Sequence, residues 1–165
     1  MAKRFYSGKT YTHATGHSCA FRQWRADSHC NLIHGYSLQF EFEFGCDQLD
    51  DRNWAVDFGG LKELKGWLKY MFDHTYLLAS DDPEFETFQE LADKNLIDLR
   101  VVGAVGCERF AEQAFDEAER IVNDISNGRC WVQKVTVREH EANSATCELA
   151  DTQKIRFTNN GQSGI

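Results

Sequence analysis

The clearest pattern of apolar and polar positions lies between residues 34 and 44. From Tyr36 to Phe44 every second residue is aromatic or Leu, and the residues between them are Ser, Gln or Glu. Such alternation indicates a β-strand with one buried side and one polar side. Counting back by twos places His34 at the start of the buried side, and Cys30 lies in the turn before it. The pair suits a chemical site, but a core histidine bonded to a backbone carbonyl beside a small buried cysteine is an equally good explanation.

Alternation predicts further strands elsewhere in the chain. They are expected within residues 3–25, over 131–139 and over 145–157, with a short strand or extended link over 96–102. The first is expected to contain a bulge at Gly16. Glu139 is the last residue on the apolar side of the strand over 131–139, just as His34 is the first residue on the apolar side of its own strand.

Apolar residues at helical spacing predict two main helices. They are expected over residues 61–72 and 107–127, and a shorter helix is expected over 84–94. Asp57 precedes the helix over 61–72, where a carboxylate interacts favourably with the helix N-terminus. Asn127 and Gly128 end the helix over 107–127. The elements predict one α+β domain over residues 1–157, an antiparallel sheet with two main helices on one face. Residues 158–165 are expected to be frayed.

Composition narrows the class of protein. A length of 165 residues suits one domain with a full core. The formal net charge of -8 argues against a nucleic-acid partner. No run is long and apolar enough for a membrane span, and the N-terminal segment lacks the apolar core of a secretory signal. The six cysteines form no Cys-x-x-Cys pair, so we expect reduced thiols in a cytoplasmic protein.

Four places in the predicted fold hold groups that could converge on an active site. They are Cys30 and His34 before a strand, Asp73 and His74 after a helix, Glu108 at a helix start, and Glu139 at a strand end. Each also has an ordinary structural explanation. Asp73 could accept backbone N–H groups in a turn, and His74 could interact with the helix C-terminus. Glu108 could be a first-turn acid, and Glu139 an exposed edge residue.

The order and local sequence of these groups resemble the 6-pyruvoyltetrahydropterin synthase and 6-carboxytetrahydropterin synthase family. The family's Cys-x-x-x-His-Gly-His is similar to residues 30–36, its Val/Ile-Asp-Phe-x-x-Leu-Lys to 56–62, its Leu-Asp-His-x-x-Leu to 72–77, and its Val-x-Val-x-Glu to 135–139. Of its Pro-Thr-x-Glu motif only Glu108 is kept. The resemblance runs from about residue 10 to residue 148.

The resemblance implies a tunnelling fold, in which a four-stranded antiparallel sheet with two helices closes into a barrel in a homo-oligomer. Active sites then lie between subunits. The implied substrate is 7,8-dihydroneopterin triphosphate. The implied activity is that of a 6-carboxy-5,6,7,8-tetrahydropterin synthase-like lyase in the 7-deazaguanine route to queuosine. The alternatives are a 6-pyruvoyltetrahydropterin synthase, which makes a biopterin precursor, and a pterin-binding protein without catalysis.

The resemblance also implies roles for individual residues. Cys30 corresponds to the catalytic base, and Asp73 with His74 to its relay. Glu139 corresponds to the pterin anchor, and Glu108 is expected to bind substrate as well. The stretch 81–102 is longer than the family's usual link, so it is expected to reshape the pocket.

The family holds zinc with three histidines, one on the first strand and both of the His-Gly-His motif. Here Tyr36 stands at the last position, and the first-strand position aligns with either His17 or Phe21. Zinc accepts nitrogen and sulfur ligands in a tetrahedral site with one open position. A rebuilt zinc site could use His34 with two of His17, Cys19 and His29.

Overall fold

The computed structural model describes residues 2–150 and contains one mixed sheet and three α-helices. The strands are β1 (Phe5–Tyr11), β2 (His17–Phe21), β3 (His34–Cys46), β4 (Thr75–Ala79), β5 (Leu99–Val102), β6 (Cys130–His140) and β7 (Asn143–Glu148). The helices are α1 (Lys62–Phe72), α2 (Phe85–Asp93) and α3 (Cys107–Ser126). The strand order is β5-β4-β2-β3-β6-β7, and β1 pairs with β3 beyond the end of β2. The predicted α+β class is confirmed.

The predicted four-stranded antiparallel sheet is wrong in strand number and direction. The sheet has seven strands, and β4 runs parallel to both β2 and β5. The other pairs are antiparallel. All five residues of β4 are buried. A strand covered on both sides has no alternation of apolar and polar residues, and the pattern therefore did not reveal it.

Three helices cover the sheet: the two predicted main helices and the predicted shorter one. On one side, Phe110 of α3 packs against Phe21 of β2 and Phe72 of α1, with ring centroids 5.0 and 5.4 Å apart. This is the main core, and it confirms that α1 and α3 share a face. Helix α2 packs in a second, smaller core, where Phe88 stacks on Tyr76 at 4.6 Å. Because neighbouring residues of β4 alternate between the two cores, α2 lies on the opposite side of the sheet.

The predicted element boundaries are largely confirmed. The predicted bulge at Gly16 is wrong: a short 3-10 turn separates β1 from β2, and Gly16, with φ of 84°, ends that turn. The Asp57 carboxylate accepts the Gly59 N–H at 2.8 Å and caps the turn that leads into α1. Helix α3 ends at Asn127 and Gly128, both with positive φ.

Three other expectations can be compared with the structure only over residues 2–150. Between residues 2 and 150, no helix has the length and apolarity needed to cross a membrane. All six cysteines are free thiols. Strand β7 accounts for the first part of the predicted final strand, while its continuation to residue 157 and the frayed tail over 158–165 lie outside the described residues.

Candidate active site

Cys30 lies in a short 3-10 turn immediately before β3. Its N–H donates to the Ser28 hydroxyl at 3.3 Å, and its carbonyl accepts the Gln23 N–H at 2.9 Å. The Gln23 side chain lies against Gly106, whose φ of 121° favours glycine. These contacts fix the turn against the end of β2 and the start of α3.

The ring of His34 is part of a group of three aromatic side chains. His34 lies opposite Phe21 in the β2–β3 pairing, and their ring centroids are 4.8 Å apart. The Tyr36 ring is 5.7 Å from His34 and 6.2 Å from Phe21. Phe21 is fully buried, with Phe110 behind it. We call Phe21, His34 and Tyr36 the aromatic cluster.

The His34 ring has a defined orientation. Its Nδ1 donates to the Leu32 carbonyl oxygen at 2.7 Å. In the neutral ring the lone pair is therefore on Nε2. This nitrogen is able to accept a hydrogen bond from a ligand.

Glu139 is the central acid of the site. Burial raises the pKa of Glu139, the charges of His34 and His140 lower it, and Glu108 raises it. All three groups are thus within electrostatic range of the carboxyl group. Among residues 2–150, no backbone or side-chain group donates a hydrogen bond to this carboxyl. A half-buried carboxylate in this situation has lost some hydrogen bonds to water and has gained none from the protein.

Helix α3 is held against the end of β6 by a buried thiol. The Cys107 Sγ atom donates to the Val137 carbonyl oxygen at 3.2 Å. Burial raises the pKa of the Cys107 thiol to about 11, so it stays protonated at neutral pH. This contact places Glu108, the next residue of the helix, beside Glu139.

Tyr36 has a central position in the site that sequence reasoning missed. Burial raises the pKa of Tyr36, and the nearby Glu139, Cys30 and Cys107 raise it further. The phenol is therefore neutral and lies among three acidic groups. The alternating pattern of β3 contained the signal, because Tyr36 shares a face with His34.

The structure thus brings Cys30, His34, Glu108 and Glu139 together around Tyr36. His140, which sequence reasoning also missed, has its ring centroid 6.1 Å from that of Tyr36.

The predicted relay, Asp73 and His74, forms a pair but does not join this group within one chain. The His74 Nδ1 donates to the Asp73 carboxylate at 2.5 Å, and the His74 side chain is 87% exposed. It borders an open depression of about 450 Å³ whose lining includes Ser18, Ala20, Gly35 and Ser37. Cys19 and Tyr36 also border the depression. Ser18, Ala20, Gly35 and Ser37 alternate along their strands with the members of the aromatic cluster, so the exposed His74 ring lies on the side of the sheet opposite the cluster.

Two candidate zinc ligands lie on β2, away from His34. His17 is four residues from Phe21 along the strand, which corresponds to about 13 Å. Its ring is buried between Tyr11 and Phe40, at 6.2 and 5.7 Å. Cys19 is buried and lies opposite Tyr36 rather than His34 in the β2–β3 pairing. Neither side chain is placed to share an ion with His34.

The third candidate, His29, is exposed in the turn that carries Cys30. Across residues 2–150, no three His, Cys, Asp or Glu side chains lie together in a way that could hold a metal ion. The donors that one chain supplies within these residues therefore do not fit a zinc ion.

Comparisons with known proteins agree on one family. The family model described as 6-pyruvoyl tetrahydropterin synthase matches residues 10–150. The 6-carboxy-5,6,7,8-tetrahydropterin synthase of Rickettsia bellii is 36% identical over 56 residues, which cover 33% of this chain and 41% of that protein. The enzyme of the same name from Aquifex aeolicus is 28% identical over 80 residues, covering 48% and 49%. The matched region is thus less than half of each relative.

Solved structures share the fold over nearly the whole described chain. An uncharacterised protein from Wolinella succinogenes superposes with a TM-score of 0.70 at 16% identity, covering 90% of this chain and 98% of the other. The 6-pyruvoyl tetrahydropterin synthase of Plasmodium falciparum gives 0.63 at 12% identity, covering 88% and 98%. At these identities the likeness establishes the fold alone.

Proposed function

This chain belongs to the 6-pyruvoyl tetrahydropterin synthase family, and on that premise we propose that it is a lyase that converts 7,8-dihydroneopterin triphosphate to 6-carboxy-5,6,7,8-tetrahydropterin, with release of triphosphate and of the two outer carbons of the side chain. The product follows the names of the curated relatives, and it would place the protein in the 7-deazaguanine route. The observation that supports the proposal most directly is the Glu139 carboxyl group, half-buried beside His34 and without a hydrogen-bond donor among residues 2–150.

Glu139 has the chemistry needed to bind a pterin. The pyrimidine edge of a pterin carries a ring N–H next to an amino group, and two such donors match the two oxygens of a carboxylate. Because burial makes the unliganded carboxylate costly, a ligand that donates two hydrogen bonds removes that cost. The His34 Nε2 atom offers a further polar contact beside it, and the Tyr36 ring offers an apolar one.

Cys30 is the proposed base. Like Glu139, it is within electrostatic range of the Tyr36 hydroxyl. As a thiolate it would take a proton from the side chain of the bound pterin, and the electron pair left behind would support loss of the triphosphate group. This step needs a partner for the thiol, and the Asp73–His74 pair is the proposed one.

We propose that the Asp73–His74 pair reaches Cys30 from another copy of the chain. Within one chain the pair opens onto the other side of the sheet from the aromatic cluster. Strands β1 and β7 each have one unpaired edge within residues 2–150. Exposed aromatic side chains beside β1, namely Phe5, Tyr6, Trp54 and Phe58, line a groove of about 490 Å³. Free edges and exposed aromatic surface support a homo-oligomer with active sites between subunits.

Product identification tests the proposed activity. Purified protein is incubated with 7,8-dihydroneopterin triphosphate, with and without added zinc, and the products are identified by mass spectrometry. We expect the 6-carboxy product from the wild-type protein and none from Cys30→Ala. The 6-pyruvoyl product would instead establish the biopterin-type synthase, and the absence of both would contradict the lyase.

A second candidate is a pterin-binding protein without synthase activity. The aromatic cluster favours it, because two of the three positions that resemble the family's histidines hold Phe and Tyr. This candidate predicts that Glu139→Gln weakens pterin binding, while Cys30→Ala changes neither the affinity nor any measurable rate.

A further inference from the structure

The pairing of β2 with β3 decides which residue faces His34. The register places Phe21 directly opposite His34 and Cys19 opposite Tyr36, while His17 is opposite Leu38. Directly opposite residues in an antiparallel pair lie on the same face with their Cβ atoms about 5 Å apart. The first-strand position that faces His34 is therefore occupied by Phe21, which has no donor atom.

The space between these positions is filled by rings. The three centroid distances within the aromatic cluster run from 4.8 to 6.2 Å, and Phe110 closes the side behind Phe21 at 5.0 Å. A zinc ion needs donor atoms at about 2.0–2.3 Å on several sides. The cluster offers one imidazole nitrogen, a phenol oxygen and the carbon face of a fully buried ring. Moving Phe21 away would open the main core.

We propose that this chain has an aromatic wall in place of a metal site, and that it binds a pterin without zinc. The partly exposed rings of His34 and Tyr36 pack against the planar ligand, and Phe21 supports them from the core. Flat heteroaromatic rings suit such a wall, because aromatic pairs prefer offset-stacked or edge-to-face contacts. The ligand in this inference rests on the proposed function, whereas the absence of a metal site does not.

Zinc content tests the metal part. The wild-type protein and His34→Ala are each incubated with zinc, desalted and measured by elemental analysis. We expect both to retain less than about 0.1 equivalent, since one imidazole does not make a zinc site. Retention of about one equivalent by the wild type, lost in His34→Ala, would overturn the proposal.

A gain-of-site variant provides the matched comparison. F21H/Y36H places three imidazoles on facing positions of β2 and β3. We expect it to retain about one equivalent of zinc and to lose it when H34A is added. Circular dichroism reports whether the variant folds, and if it does not, the wild-type measurement still decides the question. A folded F21H/Y36H protein that holds no zinc would contradict the geometry on which the inference depends.

Binding of 7,8-dihydroneopterin tests the ligand part. We expect the affinity, followed by fluorescence, to be equal in EDTA and in added zinc. Tyr36→Phe, which keeps the ring, is expected to stay within about threefold, and Tyr36→Ala to lose tenfold or more. If the affinity for 7,8-dihydroneopterin is tenfold lower in EDTA than in added zinc, the proposal is overturned. If zinc is absent and no pterin binds in either condition, the proposed function fails while the metal-free cluster stands.

Discussion

Single residues at this site are held in environments that cost stability. Glu139 lies near the end of β6, beside His34, His140 and Glu108. Burial raises the pKa of its carboxyl group. In the unfolded chain the same carboxyl has its ordinary pKa. Folding therefore favours the protonated form, and the contribution of this group to the free energy of unfolding is lost as the pH rises through its folded pKa. Such a cost is typical of a group retained for binding.

Glu139→Gln is expected to have opposite effects on stability and on ligand binding. The neutral amide removes the cost of a desolvated charge, so the melting temperature at pH 7 should rise above that of the wild type. The difference should vanish below about pH 4, where the wild-type carboxyl is protonated in both states. Pterin affinity should fall about 10- to 100-fold at pH 7, because charge-assisted hydrogen bonds are lost.

Calorimetry at pH 7 and pH 4, with fluorescence titration, measures both effects. Glu141→Gln is the matched control, because Glu141 is exposed two residues further along the chain. Equal affinity for the wild type and Glu139→Gln would show that the carboxyl group does not hold the pterin.

Helix α3 shows how much of an element can be read from its sequence. The spacing of apolar residues correctly identified its buried side and its end at Asn127. It did not indicate what that side touches. Phe110 contacts Phe21 and Phe72, which precede it in the chain by many residues and lie on β2 and α1. Partners so distant in sequence are selected by the packing of whole elements.

Phe110→Ala is expected to lower the free energy of unfolding by about 3–5 kcal/mol, because it leaves a cavity where α1, α3 and β2 meet. Urea denaturation followed by circular dichroism measures the change. Ile125→Ala is the control on the same helix, since Ile125 is 38% exposed, and it should cost about 1 kcal/mol or less. A loss below about 1 kcal/mol for Phe110→Ala would mean that this ring does not join the three elements.

The stretch 81–102 shows a second limit at the scale of elements. The helix predicted in this stretch is α2, and the last residues of the stretch form β5. Its attachment was not predicted: Arg22 makes two hydrogen bonds to the fully buried Asp82 carboxylate, at 2.8 and 2.6 Å. The ion pair joins residues 60 positions apart. Arg22 is thus paired within the chain.

At the scale of the whole molecule, the division of the proposed catalytic groups between two sides of the sheet has a direct consequence. If Cys30 and the Asp73–His74 pair act together, as proposed, they come from different copies of the chain. The protein should therefore sediment at a multiple of 19.0 kDa. A monomer at micromolar concentration would contradict the proposed assembly.

Mixing two inactive variants tests the shared site. Cys30→Ala and His74→Ala are each expected to be inactive as pure oligomers. After denaturation and joint refolding, mixed oligomers contain some sites with an intact Cys30 from one copy and an intact His74 from another, so activity should return. Refolding each variant alone is the control. If the mixture stays as inactive as its parts, the site is not shared between copies.

The sequence by itself determined what depends on neighbours along the chain. Alternation identified β3 and β6 and placed His34 and Glu139 on their apolar sides, and helical spacing identified α1 and α3. Motif order then pointed to the family. The tertiary structure decided what depends on pairing between distant segments. The register placed Phe21 rather than His17 opposite His34, β4 was hidden because it is covered on both sides, and Asp73 with His74 opened onto the other side of the sheet. Local patterns report the period and burial of an element, whereas register, strand order and facing partners arise only when the elements pack together.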